Sequence, residues 1–176
     1  ARLVDPAPQA LRVAASVARQ APWLVANLHL ERPLIDRIGP PLAWDNVAYG
    51  SAGLGYVNAQ HQSLSPVVGG TVLTAYRALS IDERAALLDQ PWSEWARRVV
   101  DDLRTVHPDL PDKLRRIDLA RHGHAMSIPA PGVRGHAALA ALREGRGTPR
   151  LHWAHADLAG YSVFEEAFTL GDAAVA

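Results

Sequence analysis

Cysteine is absent from this 176-residue chain, which excludes disulfides, thiolate metal sites and cysteine nucleophiles. Lysine is nearly absent too: Lys113 stands alone against 17 arginines. The 18 basic residues are balanced by 18 acidic ones, so bulk charge points to neither nucleic acid nor an anionic membrane surface. No apolar run is long enough to span a bilayer, and the expected location is the cytoplasm. The chain opens on Ala1 rather than Met, so the reading allows for sequence upstream, a targeting signal included. No internal repeat or low-complexity tract is visible. The length suits one domain with its own core, residues 1–176.

What is present reads as strands and helices in alternation. Pro8 to Gln20 suits a helix with Leu11, Ala14, Ala15, Val17 and Ala18 on one face, stopped by Pro22. Trp23 to Leu30 is apolar at nearly every position, as in a strand covered on both faces. Glu31 to Pro41, rich in proline, reads as loop. Strands are then expected at about Asp45–Tyr49, Leu54–Gln62 and Thr71–Leu79, joined by turns holding Gly50, Gly53, Pro66, Gly69 and Gly70. Ser80 and Glu83 form a capping-box pair opening Ile81 to Asp89. Pro91 restarts a helix in which Trp92, Trp95, Ala96, Val99, Val100, Leu103 and Val106 recur at three and four, opposite a charged face. Both tryptophans are read as core. A strand over Ile117–Met126 and a helix over about Val133–Leu142 precede the C-terminal segment. The fold class expected is α+β, with a mixed or largely antiparallel sheet and packed helices.

Eight histidines invite a metal reading, chiefly His122-x-His124, on one strand face, and His152-x-x-His155. No carboxylate sits at ligand spacing beside them and Arg121 adds adverse charge, so no metal site is assigned. The last 26 residues are more informative. Leu151 to His155 reads as a strand, Asp157 to Ser162 as a polar turn, and Val163 onward as a helix. Asp157 ends the strand, Gly160 frees the backbone and Ser162 suits the N-cap. Backbone N–H groups at a helix start favour an electron-rich or anionic ligand group. Glu165 and Glu166 lie in the first helical turn, where the dipole stabilises carboxylates whatever their function.

This segment resembles the C-terminal cofactor-closing motif of the flavin-containing amine oxidase family. Trp23–Leu30, Ala43-Trp-Asp-Asn-Val47, Leu54–Gln62 and Arg121-His-Gly-His-Ala-Met126 look like that family's substrate-domain strands. The resemblance covers about 21–176 and rests on the order of its motifs. It implies a substrate-binding region over about 21–148, an FAD-contacting strand-turn-helix over about 149–176, and a small-molecule substrate. The Gly-x-Gly-x-x-Gly loop that holds a dinucleotide pyrophosphate is missing. Gly50-Ser-Ala-Gly-Leu-Gly55 spaces its glycines the other way and leads into a strand. The N-terminal nucleotide-binding domain is therefore read as an absent partner, and this chain alone is expected to be inactive and free of FAD.

The resemblance assigns cofactor contact to Asp157, Gly160, Ser162, Val163 and Phe164: the carboxylate toward ribityl or phosphate groups, the amides of Val163 and Phe164 toward the flavin pyrimidine. The expected reaction is hydride transfer from an amine-like or related substrate to flavin, the cofactor carrying the hydride. No catalytic residue is named. The chain departs from the family at Val163, where many members carry an aromatic wall of the amine site. Ala156 and Glu166 stand in place of glycines. Lys113, in a proline-flanked loop after a helix, is poorly placed for the lysine that many members use beside the flavin. The alternative is a non-catalytic α+β binding or assembly module descended from such an enzyme. Apolar surface on the C-terminal segment leads to a further expectation, a homo-oligomer burying Leu151, Trp153, Phe164 or Phe168.

Overall fold

A computed structural model describes residues 4–35, 43–62, 64, 69–146 and 150–175. The anticipated turn at Pro66 and part of the Glu31–Pro41 loop lie outside them. The chain is α+β, with six α-helices and one five-stranded antiparallel sheet among the described residues. It divides into two compact units, residues 22–123 and residues 1–21 with 124–176.

The larger unit contains most of the sheet, in the order β2 (Asp45–Asn46), β3 (Gly55–Asn58), β4 (Thr71–Ala78), β1 (Gln20–Leu30), β5 (Leu114–Ser127). Register sets Ala26 opposite Ala75 and Leu28 opposite Leu73. Leu24, Ala26, Leu28 and Leu30 face one side and are buried. Trp23, Val25, Asn27 and His29 are only half-buried, which corrects the expectation of a strand covered on both faces. The apolar run arises because Trp23 and Val25 occupy the less covered face, where strands tolerate bulky residues. Pro22 is a strand residue, and its carbonyl accepts from Leu79 N at 3.0 Å.

The buried sheet face is covered by α2 (Arg84–Asp89), α3 (Trp92–Arg104) and α4 (Leu110–Lys113), through Leu87, Trp95, Val99, Leu103 and Leu110. Each such side chain contributes about 1.5–3 kcal/mol by leaving water. The Ser80–Glu83 capping box forms as read from the sequence. Trp95 is fully buried, its ring under the Arg98 guanidinium at 4.7 Å. Trp92 is 48% exposed and is not core. It follows the same stripe but is the helix's first residue, where the stripe has run past the core.

Near the sheet edge, Tyr76 of β4 lies opposite Gly55 of β3 and donates its hydroxyl to Asp45 of β2 at 2.5 Å. A Cβ on Gly55, whose φ is +152°, would come within 2.5 Å of the Asn46 carbonyl. Glycine is therefore required there. Strand β2 is two residues long, shorter than the expected Asp45–Tyr49.

The smaller unit packs α1 (Gln9–Val17) and α5 (Ala137–Arg143) around Ala14, Val133, Leu139, Leu142 and Leu158. Helix α1 ends at Val17, three residues short of the expected Gln20, because the chain is already extended at Ala18. The last helix, α6 (Phe164–Val175), has no buried residue.

Candidate functional site

The segment singled out from the sequence lies wholly in the smaller unit. Leu151–His155 is not a strand: no described strand pairs with it, and an extended segment without a ladder partner stays irregular. His155 then starts a short 3-10 turn, Ala156–Ala159, its Nδ1 accepting from the Asp157 amide at 3.1 Å. Leu158 and Ala159 are buried, and Arg143 donates to the Leu158 carbonyl at 2.6 Å. Gly160 closes the turn at φ +83°, in the left-handed region. A Cβ there would sit 3.3 Å from Val133 Cγ1.

Asp157 is the hub of this turn. One carboxylate oxygen accepts from the Ser127 hydroxyl and the other from the Gln20 side-chain amide. Ser127 ends β5 and Gln20 begins β1, so the carboxylate fastens the turn to residues distant in sequence. Ser162 makes a second tie, its Oγ accepting from Ser127 N at 2.8 Å. That corrects its reading as an N-cap: α6 starts at Phe164, which puts Val163 in the capping position. Ser162 is held by a backbone donor of another element instead.

Beyond the turn the surface opens. Val163 is 40% and Phe164 77% exposed. Glu165 is exposed, whereas Glu166 is half-buried and accepts from the Tyr161 hydroxyl at 2.5 Å. That bond, with some burial, raises the Tyr161 phenol above its ordinary range. The Arg134 guanidinium lies 5.2 Å above the Tyr161 ring. Of the five residues assigned from the sequence, Asp157, Gly160 and Ser162 shape and fasten the turn. Val163 and Phe164 are left facing outward at the helix start.

Lys113 is committed elsewhere: its ammonium donates to Asp109 and to the Pro33 carbonyl, each at 2.6 Å. Among the described residues no group of three or more His, Asp or Glu side chains is placed to hold a metal. Sequence reasoning missed two polar constellations in the larger unit. Tyr56 and His107 are buried and share a 2.6 Å hydrogen bond, with edge-on rings. His29 meets Asp118 at 2.9 Å, and Arg116 meets the other oxygen of that carboxylate at 2.8 Å. Only the second carries a signal, the alternation that puts Arg116 and Asp118 on one face of β5. A cavity lined by Leu24, Tyr56, Val99 and Leu103 holds about 20 Å³, room for one water and not for an organic substrate.

Comparison with known proteins finds no family model and no curated protein that matches this chain.

Proposed function

We propose that the chain is the substrate-binding and C-terminal cofactor-contacting part of an FAD-dependent oxidoreductase of the amine-oxidase kind. The observation that carries the reading is the start of α6, where Val163 and Phe164 stand exposed after a turn fastened at Asp157, Gly160 and Ser162. An exposed apolar pair beside helix-start amides suits a flat aromatic ring with polar edges. Those amides favour negative charge on a group placed against them. FAD, when bound, would accept a hydride from an amine-like or related substrate. The order of the substrate-domain motifs over about 21–176 supports the same reading.

In this account Asp157 positions the turn through the hydrogen bonds that both its oxygens accept within the chain, and each oxygen keeps a lone pair for a ribityl hydroxyl. The same observation favours the second reading, a non-catalytic α+β binding module. The first reading is tested by titration of this chain with FAD and with lumiflavin, the bare ring, followed by flavin fluorescence. A helix start contributes about 1 kcal/mol or less at an exposed site, so both should bind weakly and alike. Tight, FAD-selective binding would overturn the division of labour, because the pyrophosphate would then be held here. Weak or unmeasurable binding of both is what this chain alone should give, and the module is favoured when the protein that carries the upstream half is flavin-free as well.

A further inference from the structure

Helix α6 carries a feature that the flavin reading uses only at its first residue, Phe164. At about 100° per residue, Phe164, Phe168, Gly171 and Val175 fall within an arc of roughly 60°. Their spacing of four, three and four is that of a two-helix seam. The seam lies open: Phe164 is 77%, Phe168 65% and Val175 86% exposed, and the two phenyl rings stack at 6.1 Å. Gly171, mid-helix, costs about 1 kcal/mol of helix stability relative to alanine. Among the described residues nothing requires it, because an added Cβ would meet none of their atoms within 4 Å. A glycine on an outward seam instead lets a second backbone approach closely.

The flank of the seam decides what can approach. Glu165 and Asp172, seven residues apart, lie on the same side of it, and α6 carries no basic residue. Ala167 and Ala174 form the other flank. An antiparallel second copy would set Glu165 against Asp172 of that copy, acid on acid, which is unfavourable. A helix bearing arginine or lysine on the matching flank pairs both carboxylates.

We propose that the outer face of α6 docks an amphipathic partner helix whose apolar seam is flanked by basic residues. The proposal shares Phe164 with the flavin reading but needs neither cofactor nor turn, and its test therefore rests on Phe168, Glu165 and Asp172. It is tested with the full chain and two labelled synthetic helices that share a leucine seam, one lysine-flanked and one glutamate-flanked, by fluorescence anisotropy. The lysine-flanked helix should bind roughly tenfold tighter or more. Glu165→Lys combined with Asp172→Lys should reverse that order, and Phe168→Ser should weaken both by roughly tenfold while leaving the circular dichroism unchanged. Equal binding of the two helices, or binding of neither, overturns the proposal. So does a dimer in sedimentation that Phe168→Ser dissolves, which would give the seam to a second copy of this chain.

Discussion

The Asp157 carboxylate accepts the hydroxyl of Ser127, thirty residues earlier in the chain, while its other oxygen accepts from Gln20. The acidic residue that most resembles a ligand in the sequence is thus a fastener in the fold. Asp157→Ala should destabilise the chain by about 2–4 kcal/mol, since it leaves two donors without their charged acceptor. Ser127→Ala should cost about 1 kcal/mol, and the two losses should be strongly non-additive in a double-mutant cycle. Urea unfolding of the flavin-free chain measures both. An Asp157→Ala chain as stable as the parent would return the carboxylate to a ligand role.

Two glycines share one backbone angle and differ in surroundings, which separates strain from packing. Gly132 and Gly160 both have φ +83°, but only at Gly160 would a Cβ meet a neighbour, Val133 Cγ1 at 3.3 Å. Gly132→Ala should cost about 1 kcal/mol through the left-handed backbone alone, and Gly160→Ala distinctly more. Thermal unfolding of the two variants gives the order. Equal losses would mean that Val133 yields freely.

The two tryptophans of α3 offer a sharp contrast. Trp95→Ala removes a fully buried indole and should cost about 3–5 kcal/mol. Trp92→Ala, at a half-exposed helix start, should stay within about 1 kcal/mol. Comparable losses would contradict the burial described for this helix.

Tyr76 supplies the pH test. The hydrogen bond to Asp45, then burial and the carboxylate's charge, push its phenol up to about 12. A raised folded-state pKa means stability that is whole below the unfolded value of 10.0 and is lost as pH rises toward 12. Tyrosinate absorbance should therefore show Tyr76 titrating late, alongside the raised Tyr161 phenol. Asp45→Asn should bring it back toward the ordinary value and flatten the alkaline loss of stability. A Tyr76 titration that ignores Asp45→Asn would exclude that bond as the cause.

Much of the fold was legible locally. The three-and-four recurrence after Pro91, the Ser80–Glu83 box and the apolar run from Trp23 announce α3, the preceding turn and β1, because each signal lies within one element. Errors arose where the outcome depends on a distant partner. Leu151–His155 reads as a strand but finds no ladder, and Trp92 follows a core stripe beyond the core's end. The candidate site divides in the same way. An acid, a glycine and a helix start could be read in order, yet Gln20 and Ser127 left no mark near Asp157. A side-chain hydrogen bond across 137 residues has no local pattern. Tyr56 and His107 were missed for that reason too.

The most direct measurement is flavin retention by the protein encoded by the complete reading frame around this sequence, compared with its Phe164→Asp variant. Phe164 is largely exposed in the chain itself, so the substitution should leave folding intact while placing a charge beside the proposed ring site. The account predicts a yellow parent with one flavin per chain and a variant that loses most of its flavin during purification, with unchanged circular dichroism. A colourless parent, or equal flavin content in parent and variant, would contradict it.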